Sequence, residues 1–206
     1  MYSERTYNVM EKIFNGLVWS IPTDNKSIFI TFDDGPIPEV TPWVLDTLKR
    51  FDAKATFFCL GKNVESNPEI YQRILTEGHA VGNHTHNHVD GWKIGKRRYV
   101  ANINKCSEWV DSRLFRPPYG RLLPAHYKMI KNNYSVVMWN VLCGDFDKRL
   151  TGERCVDNVI LNTKPGSIIL FHDSVKANDR LRYALPRVLK YYAEKNYSFK
   201  PIVNGF

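Results

Sequence analysis

Apolar segments of strand length alternate with segments of helical periodicity from about residue 27 to about residue 203. Strands that alternate with helices pair as a parallel sheet, because each helix returns the chain to the starting end of the next strand. The sequence therefore predicts one α/β domain whose sheet is either open or closed into a barrel. The predicted strands are 27–32, 55–60, 80–83, 114–115, 135–139, 167–171 and 197–203. The predicted helices are 41–51, 68–77, 99–110, 124–131, 157–162 and 185–195.

Polar residues cluster directly after five of these strands. The clusters are Thr31–Pro36, His84–His88, Arg116–Gly120, Asp145 with Phe146, and Leu170–Asp173. In a parallel α/β fold the carboxyl ends of the strands share one face, where such folds place their active sites. Packing does not explain polar residues at five equivalent positions, so we expect an active site on this face.

Asp33 and Asp34 follow an apolar strand, where two unpaired acids would be costly to bury. Asp34-Gly35-Pro36 also suits a turn, an alternative that leaves Asp33 without a role. Adjacent side chains of an extended backbone point to opposite sides. We therefore expect two roles for the pair, one acid on a metal and the other beside it as a base.

His84 and His88 are four residues apart. On a helical turn this spacing places both imidazoles on one face, where they can chelate one metal ion, and it directs His86 elsewhere. Two histidines and one carboxylate leave a coordination position open, as catalytic zinc sites do. The ligand set favours Zn²⁺ and also suits Co²⁺, Ni²⁺ or Fe²⁺.

His172 follows the apolar run Ile168–Phe171. One interpretation is a core histidine that is hydrogen-bonded to a backbone carbonyl. The other is a general acid at the carboxyl end of a strand, beside the other polar motifs.

Together these motifs resemble the polysaccharide deacetylase family, also known as carbohydrate esterase family four or the NodB-homology domain. The resemblance covers about residues 27–203 and five ordered motifs. It implies a distorted (β/α) barrel with about seven parallel strands. It also implies a metal-dependent hydrolase that removes N-linked acetyl groups from a carbohydrate.

The resemblance assigns roles to the first three motifs. Asp33 matches the catalytic base, and Arg116 would hold it by an ion pair. Asp34, His84 and His88 match the metal ligands. The third motif would form one wall of the groove, where the backbone N–H of Tyr119 would help to bind the oxyanion.

The later motifs are matched less completely. Leu170 would line an acetyl-sized pocket, and His172 would be the acid, with Asp145 as its partner. The family commonly shows Asp-x-x-Asp-Trp in its fourth motif, whereas this chain has Leu142 in place of the first acid and Phe146 in place of the tryptophan. We expect Tyr119, Phe146 and Trp139 to face the substrate, but the identity of the sugar does not follow from the family pattern.

Two alternatives remain at this point. One is a deacetylase or deformylase of a lipid-linked amino sugar, and the other is a carbohydrate-binding pseudoenzyme. We assign residues 1–26 to an N-terminal extension and residues 27–206 to the catalytic domain.

The charge and hydropathy of the chain limit which classes of partner it is expected to bind. Lys and Arg number 29 against 21 acidic residues, a formal net charge of +8 that suits an anionic or lipid-linked carbohydrate as well as an ordinary basic surface. No basic cluster with aromatic platforms predicts nucleic-acid binding.

No segment has the roughly 20 apolar residues of a transmembrane helix. Met1–Ser20 lacks the apolar core of a signal peptide, which predicts the cytoplasm, whereas a wall substrate predicts the cell envelope. The oligomeric state is not predicted.

Overall fold

The computed structural model describes residues 16–203, in which nine strands form one sheet. The strands are β1 (Leu17–Val18), β2 (Ser27–Asp33), β3 (Thr56–Cys59), β4 (Ala80–Asn83), β5 (Leu114–Phe115), β6 (Ser135–Val137), β7 (Val141–Leu142), β8 (Ile168–His172) and β9 (Ser198–Phe199). The helices are α1 (Thr41–Lys49), α2 (Gly61–Ser66), α3 (Pro68–Thr76), α4 (Lys96–Ser107), α5 (Pro124–Ile130), α6 (Gly152–Ile160) and α7 (Asn178–Glu194), with a 3₁₀ turn at Pro118–Gly120.

The strand order is β1-β6-β5-β4-β3-β2-β8-β7, with β9 also pairing to β2. All of these strand pairs are parallel. The predicted distorted (β/α) barrel is confirmed. The two strands that the sequence did not predict, β1 and β7, are each two residues long.

The sheet begins earlier in the chain than the sequence predicts. β1 pairs with β6, so Leu17 and Val18 belong to the sheet although they fall in the segment assigned to the N-terminal extension. The domain boundary at residue 27 stays a prediction, and most of Met1–Ser20 lies outside the described residues.

The two faces of β2 are both buried, which explains its unbroken apolar sequence. Phe29 packs into a cluster with Phe58 and residues of other strands, inside the barrel. Ile30 and Phe32 belong instead to the larger cluster that includes the helices. Because side chains alternate along a strand, Asp33 falls on the same side as Phe29, at the carboxyl end of the barrel interior.

Two helices differ most from the sequence prediction. α2 was not predicted, since Gly61 starts it directly after the β3 segment and no side chain caps it. α7 was expected to start at residue 185. The observed helix starts at Asn178 and continues through Pro186, with Leu181 buried against the core in its first turns.

Strand register brings the polar motifs to one level. Asp33 on β2 lies opposite His172 on β8. Asn83 on β4 lies opposite Phe115 on β5, so His84 and Arg116 leave their strands side by side.

Among residues 16–203, no helix combines the length and apolar character that crossing a membrane requires.

Candidate active site

The structure brings together the three predicted metal ligands. One donor atom each of Asp34, His84 and His88 lies within 4.8 Å of the others. The Nε2 atom of His88 is 3.2 Å from Asp34 Oδ1, and the Nε2 atom of His84 is 3.8 Å from the same oxygen. Such a group of two imidazoles and one carboxylate fits a divalent cation.

The other nitrogen of each imidazole is already engaged. His84 Nδ1 lies 2.8 Å from the carbonyl oxygen of Arg116, which can only accept, so Nδ1 carries a proton and Nε2 faces Asp34. His88 Nδ1 lies 3.1 Å from the Tyr119 hydroxyl. Burial, with the neighbouring His84, lowers the pKa of His88 to about 4, so its ring is neutral at pH 7. Metal-binding histidines are oriented in this way through their second nitrogen, and therefore the residues present fit a metal.

The loop that carries the two histidines is not the helical turn that their spacing predicts. Thr85 and His88 have positive φ angles of 66° and 55°, which no α-helix contains. The backbone N–H groups of residues 86 and 87 both donate to Asn102 Oδ1 on α4, at 2.9 Å. The two histidines therefore lie together in a loop that a side chain from α4 shapes, and not on a helical turn.

The expected arrangement of Asp33 and Asp34 is also corrected. Asp34 has a φ of 86°, so the extended backbone ends there and the two carboxylates do not point to opposite sides. Asp33 Oδ2 lies 3.7 Å and Asp34 Oδ1 3.8 Å from His84 Nε2. Asp34 is therefore both the turn residue and a member of the candidate metal site.

Asp33 is buried and paired. Its Oδ1 accepts a hydrogen bond from Arg116 Nη1 at 2.8 Å. Burial acts to raise the pKa of Asp33, but the charges of Arg116, His84 and His172 outweigh it and hold that pKa below its usual value. The carboxylate therefore stays ionised and able to accept a proton.

Arg116 is fully buried, and its guanidinium donates four hydrogen bonds. Besides Asp33, it donates to the carbonyl oxygens of Val137 (3.1 Å) and Met138 (2.8 Å) and to Thr31 Oγ1 (2.8 Å). A buried cation is tolerated only with such partners, so Arg116 fixes the position of the Asp33 carboxylate.

His172 and Asp145 form the second charged pair. His172 Nδ1 lies 2.9 Å from Asp145 Oδ1, and the backbone N–H of His172 donates to Oδ2 at 2.8 Å. Burial disfavours the imidazolium, but Asp145, with Asp34 and Asp33 further away, raises the pKa of His172 to about 9. Nε2 is left free of this pair, so the interpretation as a core histidine bonded to a carbonyl does not describe this side chain.

The four residues predicted to face the substrate differ in their exposure to solvent and in their neighbours. Leu170 is buried on β8, two positions before His172 and on the same face. The Phe146 ring lies 5.1 Å from the His172 ring, centroid to centroid. Trp139 is half-buried, with its ring 5.6 Å from the Arg116 guanidinium. Tyr119 is 60% exposed and has a φ of 60°.

One buried acid escaped the sequence prediction. Asp173 Oδ1 accepts from the backbone N–H of Gly35 at 3.0 Å, and its Oδ2 accepts from Thr41 Oγ1 at 2.6 Å. A Cβ at residue 35 would lie 1.9 Å from Asp173 Oδ2, so the turn after Asp34 requires glycine. Burial raises the pKa of Asp173 to about 8. The sequence signal that could have identified Asp173 is its position next to His172, at the end of an apolar strand.

His86 lies outside the group of candidate ligands, as the spacing predicts. It is buried, and its Nε2 atom lies 3.7 Å from Glu65 Oε2.

Comparison with known proteins places this architecture in a family. The family model described as polysaccharide deacetylase matches residues 20–136. A peptidoglycan-N-acetylglucosamine deacetylase of Bacillus cereus is 36% identical, over 89% of each chain. A chitooligosaccharide deacetylase of Azorhizobium caulinodans is 35% identical over 74% of this chain and 76% of its own. A solved peptidoglycan N-acetylglucosamine deacetylase superposes with a TM-score of 0.87 at 33% identity, over 95% of this chain and 94% of that one.

The chain belongs to the polysaccharide deacetylase family. It is accordingly a carbohydrate N-deacetylase, and its family depends on a metal.

Proposed function

We propose that the chain removes the acetyl group from N-acetylglucosamine residues of peptidoglycan or of a chemically similar glycan, with Zn²⁺ as its metal. One observation carries this proposal. The candidate metal site of Asp34, His84 and His88 lies beside an ionised acid, Asp33, which is itself opposite a histidine, His172, whose pKa is raised. The substrate is inferred from the relatives, which are named for peptidoglycan and chitooligosaccharides.

Asp34, His84 and His88 would hold the metal through one carboxylate oxygen and two Nε2 atoms. When bound, a divalent cation polarises a carbonyl and makes water more acidic. Two nitrogen donors and one oxygen donor suit Zn²⁺ and leave room for water and substrate.

Asp33 acts as the general base. Its carboxylate is ionised, is held by Arg116 and lies 3.7 Å from His84 Nε2, so it borders the space where water would be activated. It takes the proton of the water that attacks the amide carbon. The backbone N–H of Tyr119 donates to the oxygen that becomes negative, and one such donor is typically worth about 3 kcal/mol.

His172 acts as the general acid. Asp145 orients the ring and keeps it protonated at neutral pH, with Nε2 available to the leaving nitrogen. Leu170, on the same face of β8, bounds the space for the acetyl methyl group. Proton transfer to the nitrogen releases acetate and a free amino sugar.

Two other functions use the same site. A lipid-linked amino sugar would present the same amide, and the net charge of +8 favours an anionic partner of this kind. A carbohydrate-binding pseudoenzyme is disfavoured, because the base, the acid and the three candidate ligands are all present.

Mass spectrometry of a substrate panel tests the proposal. Metal-loaded enzyme is incubated with peptidoglycan fragments, chitooligosaccharides and lipid-linked N-acetyl amino sugars. We expect loss of acetyl groups from the first two. Acetyl loss from the lipid-linked sugar alone would replace the proposed substrate, and intact masses throughout would support the pseudoenzyme.

A further inference from the structure

Two aromatic side chains near the site are exposed to solvent. Trp92 is 62% exposed and Tyr119 60%, and within residues 16–203 no other aromatic side chain has more than half of its surface exposed. A single exposed apolar residue is common and requires no explanation. The arrangement of these two residues is what suggests a function.

Both rings flank one guanidinium. The Arg121 guanidinium lies 4.9 Å from the Trp92 ring and 5.6 Å from the Tyr119 ring. The Tyr119 ring in turn lies 4.6 Å from the ring of His88, a candidate metal ligand. A continuous line of contacts therefore runs from the reaction centre outward to Trp92.

The turn that presents Trp92 is braced. Asp90 Oδ1 accepts from the backbone N–H of Trp92 at 2.9 Å, and its Oδ2 accepts from Arg121 Nη1 at 2.5 Å. A Cβ at Gly91 would lie 2.3 Å from the Arg121 carbonyl oxygen, so glycine permits the close approach of the two segments. The indole is thus held on a fixed turn against Arg121.

We propose that Trp92 and Arg121 form a subsite for a second sugar residue of the glycan, next to the one that loses its acetyl group. This inference rests on the proposed function. An indole ring offers a flat apolar face for the C–H face of a pyranose, and a guanidinium donates hydrogen bonds to sugar hydroxyls. Neither side chain takes part in the proposed hydrolysis, and both lie beyond Tyr119 from the metal site.

The test is the dependence of activity on glycan length. For parent, Trp92→Ala and Trp92→Phe, kcat/KM is measured on N-acetylated mono- and disaccharides. We expect Trp92→Ala to lower the ratio of disaccharide to monosaccharide kcat/KM about tenfold, the effect of no longer burying roughly 55 Å² of apolar surface. Trp92→Phe should restore part of the ratio, because it keeps an aromatic face. Leu161→Ala, at a 75% exposed position on the end of α6, is the control and should match the parent.

A binding measurement separates this inference from the proposed function. The indole N–H resonance of Trp92 is assigned by its absence from Trp92→Ala and is followed during titration with the disaccharide, without turnover. A saturable shift supports the subsite even if no deacetylation occurs, in which case only the proposed function fails. An unchanged length ratio in Trp92→Ala, or no shift of the Trp92 resonance at millimolar glycan, would overturn the subsite.

Discussion

At the scale of single residues, burial and charge shift the pKa values of two neighbours in opposite directions. Asp33 and His172 lie opposite each other on β2 and β8. Arg116 lowers the pKa of the first, and Asp145 raises that of the second to about 9. At neutral pH the acid is therefore ionised and the histidine protonated, which suits a base and an acid acting on one substrate.

We predict that Asp33→Asn folds and holds metal but loses about 10²–10⁴-fold in turnover. The amide has the same shape as the carboxylate but cannot accept the proton of water. Deacetylation rate and metal content are measured on the same sample. Near-parental turnover would reduce Asp33 to a structural partner of Arg116, and loss of bound metal would exchange the roles of Asp33 and Asp34.

His172→Ala should lower kcat/KM far more on an N-acetyl sugar than on a nitrophenyl acetate. An amine leaves poorly unless it is protonated, whereas a nitrophenolate leaves without help. Asp33→Asn should impair both substrates, because both require an activated water. The measurement is the ratio of mutant to parent kcat/KM on the two substrates. Equal losses with metal content intact would mean that His172 does not protonate the leaving group.

Removal of the Asp145 charge should shift the pH profile. His172 works in its protonated form, so kcat on the amide should fall as pH rises through about 9. In Asp145→Asn the pKa of His172 falls, and the alkaline limb should move to lower pH. Asp147→Asn removes an acid that is paired with Arg149 instead, and its limb should stay in place. If the alkaline limb of the kcat profile did not move in Asp145→Asn, Asp145 would not control the pKa of the general acid His172.

At the scale of elements, seven of the nine strands among residues 16–203 were predicted and the shapes of the loops were not. β2 is a run of β-branched and aromatic residues that no helix would favour, and the sequence placed its start at Ser27 correctly. The loop of His84 and His88 takes its shape from Asn102, eighteen residues after His84, and no local pattern encodes that contact. The same holds for the turn after Asp34, which Asp173 holds from the far end of the chain.

Asn102→Ala should therefore weaken metal binding without unfolding the protein. The substitution removes the acceptor of the residue 87 N–H and leaves the residue 86 N–H only the backbone carbonyl oxygen of Asn102, at 3.1 Å. Loss of such supporting contacts typically costs about 10–100-fold in metal affinity. Asn102→Asp keeps an oxygen at this position and should stay close to the parent. Competition with a chelator of known affinity measures the change. Equal affinities for the parent and Asn102→Ala would show that the loop holds its shape without this side chain.

At the scale of the whole molecule, the barrel gathers residues from separate segments into one site. That gathering was predictable, because parallel strands end on a common face. The exposed turn with Trp92 was not recognised, since a lone tryptophan in a loop has no distinctive pattern. Its relation to Arg121 exists only in three dimensions.

We expect that one metal ion at Asp34, His84 and His88 enables deacetylation, and a titration with Zn²⁺ measures this dependence. Zn²⁺ is added stepwise to metal-free enzyme, and acetate release from an N-acetylated oligosaccharide is measured at each step. We predict that the rate rises in proportion to bound metal, saturates at one ion per chain and stays at background in His84→Ala/His88→Ala. Acetate release by the metal-free enzyme would show that deacetylation needs no metal, and a parental titration curve in the double variant would show that His84 and His88 do not hold the metal.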